Sequence, residues 1–278
     1  MTSYTRNKTL GRLLLVLACI AITTGCASVE KPGQAAAVPE IRPGVLAGYL
    51  APTALPDSLS LLPPPPVAGS AALALDEDVH RASVAMRGTP RWQVATQDAD
   101  LTFPRAAGTF SCALNAPITE QETPRLYTLL RRIRTDASAA TNKAKDAYKR
   151  VRPFVVHQEP TCSPEDEKSL SQNGSYPSGH TTIGWTWALV LSEIAPEQIN
   201  AILARGRAFG QSRLICNVHW QSDVTEGYLT GAATVARLHA DPTFRADVQA
   251  ATDELASVRS KGLKPARDCK AEAEALAY

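Results

Sequence analysis

Four stretches from position 126 onward repeat apolar residues at three- and four-residue intervals: positions 126–150, 196–215, 222–240 and 242–260. That spacing is the signature of an α-helix with one buried face. Ser222 and the Asp241-Pro242 pair supply start signals for the last two. A further run lies in GSYPSGHTTIGWTWALVLSEI, residues 174–194, where a Pro-Ser-Gly turn feeds an apolar segment. Ser178 is placed to cap that segment as a helix, with Ile183, Trp187, Leu189 and Val190 turned to a core. Alternating strand patterns are nearly absent. The expected fold is therefore all-α, a single-domain helical bundle with a loop-rich N-terminal segment, its helical pattern established from about Leu73 onward.

The first residues read differently. Arg6, Lys8 and Arg12 form a basic region and Leu13 to Ile22 a short apolar run, the pattern of an export signal. Such a run is too short to remain as a membrane-spanning helix. Cys26 follows Thr24-Gly25 as in a bacterial lipoprotein cleavage site, although Thr23 stands where that pattern usually has Leu; Gly25-Cys26-Ala27 also suits ordinary signal peptidase. The organisation expected is a signal peptide over 1–27, with lipidation of Cys26 as one of its two fates, an Ala/Pro/Gly-rich linker over 28–44, and one catalytic domain over 45–278. Pro63 to Pro66 form a second stiff, extended piece.

A chain of 278 residues with 44% apolar content builds a real core, and a net charge of +2 gives no broad basic field for a nucleic acid polymer. Anion recognition must then be local. Processing leaves Cys112, Cys162, Cys216 and Cys269, an even number that predicts two disulfides in an oxidising compartment. Chain order alone suggests Cys112–Cys162 and Cys216–Cys269. Neither CxxC nor HxxxH spacing is present, so no metal site is expected.

Three clusters carry chemistry. In KDAYKRVRP, Lys145 and Arg152 are separated by six residues, which on one continuous helix closed by Pro153 would put both cations on one face. In PSGH, Ser178 and Gly179 bring a helix N-terminus, with its unpaired N–H groups, next to His180. In SRLICNVHWQSD, Ser212-Arg213 close a helix, His219 lies in the connection and Asp223 begins the next helix. Each cluster alone has an ordinary explanation: a solvated basic face, a capped helix, an acidic first turn that complements the helix dipole. A tetrapeptide such as PSGH arises by chance at about 10⁻⁵ per position, and three such clusters in order are not coincidence.

The three clusters resemble the signature of the type 2 phosphatidic acid phosphatase superfamily, which also holds the vanadium haloperoxidases. GSYPSGHT and LPDSLSLLPPPP look like the class A bacterial non-specific acid phosphatases, and the resemblance runs from about Tyr49 through the last helix. It implies hydrolysis of phosphate monoesters at acidic pH through a phosphohistidine, with broad specificity and phosphate transfer to alcohols as a side activity. In that scheme His219 is the nucleophile, Asp223 orients it, and His180 protonates the leaving oxygen. Lys145, Arg152, Ser178, Gly179 and Arg213 bind phosphate.

The residue chemistry agrees with those roles. Arginine offers a planar two-donor fork and lysine a point charge, and a carboxylate on one imidazole nitrogen fixes the tautomer that makes the other nucleophilic. The scheme asks for His219 neutral and His180 protonated, hence mildly acidic catalysis with no cofactor and no metal. Small phosphomonoesters are the expected partners, with a homodimer and a lipid anchor to the membrane left open. The expected location is the periplasm, soluble or tethered through Cys26. His80, His157 and His239 match no signature position and are read as structural. The competing readings are a vanadate-dependent haloperoxidase, an integral lipid phosphatase, which the charged helices disfavour, and a non-catalytic phosphate-binding lipoprotein.

Overall fold

A computed structural model describes residues 38–277. The export signal, Cys26 and the first part of the linker lie outside the described residues. The chain enters through a small antiparallel hairpin, β1 (Glu40–Arg42) and β2 (Val45–Leu46), with Glu40 opposite Leu46 and Arg42 opposite Val45. Helices follow: α1 (Ser58–Leu61), α2 (Ala71–Val84), α3 (Pro90–Ala99), α4 (Ser111–Leu114), α5 (Pro124–Ala140), α6 (Asn142–Tyr148) and α7 (Pro153–His157). The C-terminal half adds α8 (Glu167–Leu170), α9 (Gly179–Ile194), α10 (Ile199–Ile215), α11 (Gln221–Leu238), α12 (Pro242–Ser260) and α13 (Cys269–Leu276). The expected all-α fold is what forms.

Helix α9 is the axis of the bundle because it is apolar nearly all round, the composition of a helix enclosed by others. It packs along α10 on one side and α11 on another, while α5 and α12 complete the surround. Trp187 is fully buried near its middle, and its indole N–H donates to the Leu130 carbonyl of α5 at 3.0 Å. Gly227 lets α11 lie close to the start of α9: a Cβ there would sit 2.9 Å from the Ser178 carbonyl oxygen and 2.8 Å from Thr181 Cβ. The entry hairpin is clamped to α5. Thr135 donates to the Leu46 carbonyl at 2.7 Å, and buried Asp136 accepts from Tyr49 N–H at 2.7 Å.

Three local expectations are corrected. The pattern over 126–150 is two helices, α5 and α6, broken at Thr141. Pro153 does not stop a helix but begins one: α6 unwinds at Lys149, whose φ of 43° is left-handed, and Pro153 occupies the first turn of α7, where no N–H is required. Lys145 and Arg152 are thus not on one helix face. Ser222 does not cap α11, since Trp220 precedes that helix and Asp223 in its first turn accepts from Trp220 N–H at 2.9 Å. Two caps stand as expected, Ser178 accepting from Thr181 N–H and Asp241 from Phe244 N–H at 2.8 Å.

The disulfides also differ from chain order. Cys112 bonds Cys269 and Cys162 bonds Cys216, in place of Cys112–Cys162 and Cys216–Cys269. The cause is topological: α4 and the start of α13 both lie against α10, while Cys216 follows α10 directly and faces the segment after α7. The first bridge fastens the C-terminal helix and the second the connection that leads from Arg213 to His219. Replacing Cys112 and Cys269 together by Ser should lower stability by about 2–5 kcal/mol and leave turnover near normal below Tm. The same replacement of Cys162 and Cys216 should lower both. Thermal melts alongside steady-state rates read the difference, and equal effects on turnover would contradict the assignment of the second bridge to the site.

Candidate active site

The site lies where the starts of α9 and α11, the end of α10 and the α6–α7 connection come together. Ser178 N–H donates to the Asp223 carbonyl at 2.9 Å, which joins the first turns of α9 and α11. Thr182 Oγ1 then bonds the carbonyls of both Ser178 and Gly227, at 2.9 and 3.2 Å. Ser178 Oγ accepts from Thr181 N–H, so its cap role is real, and its hydroxyl proton remains available to an anion.

Lys145 and Arg152 reach the same place from separate helices because one loop holds them both. Lys145 Nζ donates to the Gly174 carbonyl at 2.7 Å, while Arg152 Nε donates to the carbonyls of Leu170 at 2.9 Å and Asn173 at 3.2 Å. Glycine is required at 174, since a Cβ would lie 2.6 Å from the Lys145 carbonyl oxygen. At Gly179, singled out by the sequence pattern, a Cβ would meet Lys145 Cε at 3.8 Å, an ordinary contact. Any need for glycine at 179 must come from what the pocket holds and not from the protein packed around it.

His219 and Asp223 form the centre. His219 Nδ1 lies 3.2 Å from Asp223 Oδ2, and Arg152 Nη1 lies 3.1 Å from His219 Nε2 while also donating to the Val218 carbonyl at 2.9 Å. Both neighbours assign one tautomer: Nδ1 carries the proton toward the carboxylate, and Nε2 presents its lone pair to the cation. Arg213, in the last turn of α10, is 1% exposed, and its Nε and Nη1 have no protein partner. Two buried guanidinium donors are therefore unbonded in a site already crowded with positive charge.

That crowding shows in the acidities. Burial, then the neighbouring Arg152, pushes Lys145 down to about 7. Burial and Arg152 push Arg213 down to about 9, and burial pushes Arg152 to about 10, leaving both charged throughout the acidic and neutral range. His219 is held well below its usual value by burial and then by Arg152, Lys145 and Arg213. His180 is also held well below by burial and Arg213, against the opposing effect of its bond to the Ala99 carbonyl. The free protein thus keeps both histidines neutral, whereas the sequence scheme asks for a protonated His180. An anion among the three cations would reverse much of that depression, because a nearby opposite charge favours the protonated imidazole.

His180 Nε2 lies 2.9 Å from the Ala99 carbonyl at the end of α3, so Nε2 carries a proton and Nδ1 is the nitrogen left for proton exchange. Nothing in the signature points to Ala99. Its place is set by Asp98, whose buried carboxylate pairs with Arg205 and accepts from Ser212 Oγ at 2.6 Å, tying α3 to α10. Ser212 of the Ser-Arg pair thus anchors helices instead of touching the cations. Arg150 is a second residue the sequence reading passed over; its Nη1 donates to Asp223 Oδ1 at 2.6 Å. Its only sequence signal was a place two residues before Arg152 in the KDAYKRVRP cluster. His80 and His157 stack 4.2 Å apart, His157 beside Glu77 and both near Trp220, while His239 pairs with Glu193. Among the described residues, no group of three or more His, Cys, Asp or Glu is placed to hold a metal ion.

Sulfate, whose charge is constant across the range, should bind free protein progressively more weakly as pH rises through about 7, because Lys145 loses its proton there. Lys145→Met should bind weakly and without that pH dependence. Calorimetric titrations from acidic to alkaline pH would show it, and a Lys145→Met protein that kept the parent's slope would contradict the assignment.

The PAP2 superfamily pattern matches residues 128–246. The chain is 47% identical over 204 residues to a non-specific acid phosphatase of Providencia stuartii, covering 73% of this chain and 82% of that one. It is 44% identical over 195 residues to a non-specific acid phosphatase of Salmonella typhimurium, covering 70% and 78%. An acid phosphatase of Zymomonas mobilis subsp. mobilis matches at 39% over 209 residues, covering 75% and 79%.

Proposed function

The chain belongs to the PAP2 superfamily, and we propose that it is an acid phosphatase that hydrolyses phosphate monoesters through a phosphohistidine on His219. The observation that carries this reading is the placement of His219 between Asp223 Oδ2 and the Arg152 guanidinium, with Lys145 and Arg213 buried around it. A neutral imidazole whose lone pair faces an anion seat is poised to attack phosphorus.

The anion seat is built from Lys145, Arg152, Arg213, the Ser178 hydroxyl and the free N–H groups at the start of α9. On binding, Arg152 Nη1 exchanges its contact with His219 for a phosphoryl oxygen, which frees Nε2. Nε2 forms its bond to phosphorus as the ester P–O bond breaks, and the electron pair leaves with the ester oxygen. That oxygen takes a proton from His180 Nδ1. Asp223 holds the positive charge that forms on the His219 ring. In the second step, His180, now neutral, takes a proton from water as the water oxygen attacks phosphorus, and the P–N electrons return to Nε2.

The lowered pKa of free His180, which leaves it neutral, is compatible with this scheme because the substrate brings the missing proton. A phosphomonoester has a second pKa of about 6, so at mildly acidic pH it arrives as a monoanion carrying a proton. Transfer of that proton to His180 inside the cation cluster yields the dianion and the acid together. Above about 7 the substrate has lost its proton and free Lys145 its charge, so activity declines. The polar groups of the seat address the phosphoryl group, which supports broad specificity for the rest of the ester and transfer to an alcohol in place of water. The two disulfides suit an oxidising compartment, in keeping with export to the periplasm.

His219→Ala should abolish turnover of every ester. His180→Ala should cost about 10²–10⁴-fold with alkyl phosphates, whose leaving groups need a proton, and far less with p-nitrophenyl phosphate. Rapid quench of His180→Ala with labelled substrate should trap acid-labile phosphate on His219. A phosphoenzyme that survives in His219→Ala would show that the nucleophile is another residue.

A further inference from the structure

The nucleophile's carboxylate does not stand alone. Asp223 is fully buried, and Arg150 lies against it with a side chain only 9% exposed. Arg150 Nη1 donates to Asp223 Oδ1 at 2.6 Å and to Ser222 Oγ at 2.7 Å, while Nη2 donates to Asp76 Oδ2 at 2.6 Å. Asp76, 1% exposed on α2, accepts from Ser222 N–H at 2.7 Å through Oδ1 and from Ser222 Oγ at 2.7 Å through Oδ2. The guanidinium also lies 5.4 Å from the Trp220 ring, whose indole N–H donates to the Val151 carbonyl at 2.8 Å. One arginine thus joins α2, the α6–α7 connection and the first turn of α11.

Resting on the phosphohistidine reading above, we propose that Arg150 and Asp76 are positioning residues for the nucleophile, a clamp that aims Asp223 and sets the charge His219 faces. Two parts of the geometry carry this. Arg150 takes Oδ1 of Asp223, and Trp220 N–H takes Oδ2 at 2.9 Å from the other side, so the carboxylate cannot rotate and Oδ2 stays on His219 Nδ1. Arg150 alone would neutralise Asp223. Asp76 offsets that, since two carboxylates and one guanidinium leave a single net negative charge in the cluster. That charge stabilises the imidazolium-like ring of the phosphorylated nucleophile. The side-chain hydrogen bonds of both residues go to Asp223, Ser222 and each other, which assigns them to the clamp and not to substrate.

The two residues therefore act on His219 in opposite electrostatic senses. His219 faces Arg152 from the start of α7, Lys145 from α6, Arg213 from α10, His180 from α9 and Asp223 from α11. Removing Arg150 takes a positive charge from that setting, and neutralising Asp76 takes a negative one. Arg150→Gln should lower kcat about 10²-fold, as loss of orientation at a reacting group does, with KM for p-nitrophenyl phosphate and the sulfate affinity within about twofold of parent. In ¹⁵N-histidine spectra, Arg150→Gln should lose the single Nδ1–H tautomer of His219 and raise its titration midpoint. Asp76→Asn should lower that midpoint and also lower kcat.

A kcat within about threefold of parent in Arg150→Gln, or midpoints that move the same way in both variants, would overturn the proposal. Should Arg150→Gln fail to fold, Arg150→Lys keeps the buried charge but cannot span two carboxylates. It should retain the fold and KM while losing about tenfold in kcat, and a parent-like kcat would overturn the clamp. A parent protein that turns over no phosphomonoester would sink the function proposed above. The histidine spectra would still decide whether Arg150 holds Asp223.

Discussion

Three like charges are buried together in this protein, and much of the site's behaviour follows from that repulsion. Lys145, Arg152 and Arg213 are each less than a tenth exposed; the buried carboxylate that Lys145 and Arg152 feel, Asp223, is already shared between Arg150 and His219, and the one that Arg213 feels, Asp98, is paired with Arg205. Buried charge without full compensation is costly, and here the cost is visible as lowered pKa values in all three cations and both histidines, with burial the first cause in each and neighbouring cations adding to it at Lys145, Arg213 and both histidines. An anion of suitable size relieves it. The same excess that makes the free site unfavourable, together with burial, keeps the His219 ring a free base, and it is the electrostatic basis of the phosphoryl seat proposed above.

Holding such a site closed requires a scaffold that cannot relax around it. Close packing of α11 on the start of α9 at Gly227, the loop carbonyls that grip Lys145 and Arg152, and the Cys162–Cys216 bridge each fix one approach to the centre. The buried Asp98–Arg205–Ser212 network fixes another, because it sets the end of α3 where the Ala99 carbonyl orients His180. Charged networks thus flank the site on two sides, one behind each histidine.

Much of this was legible in the residues. The apolar periods located α10, α11 and α12 closely, and Ser178 and Asp241 cap the helices their positions indicated. The residues singled out from the three clusters come together, with Lys145, Arg152, His219 and Asp223 joined through direct bonds and the Gly174 carbonyl. What the sequence hid was long-range. Pro153 reads equally as a stop or a start, and only the left-handed turn at Lys149 decides it. Cysteine pairing depends on which helices lie side by side, which chain order does not contain. Asp76 and Ala99 come from stretches far from the three clusters, and Arg150, though inside KDAYKRVRP, shows its role only through the bonds it makes to Asp223, Ser222 and Asp76 across the fold. The acidity of His180 was equally out of reach, since it depends on how deeply the ring and Arg213 are buried together.

The central claim is that burial, reinforced by a cluster of buried cations, keeps both site histidines neutral until an anion arrives. A histidine-resolved ¹⁵N NMR titration of the full-length protein, run with and without saturating sulfate, tests it directly. The account predicts that His219 and His180 in the free protein titrate well below the ordinary value of 6.5 and that sulfate moves both midpoints upward. Midpoints near the ordinary value in the free protein, unmoved by the anion, would contradict it.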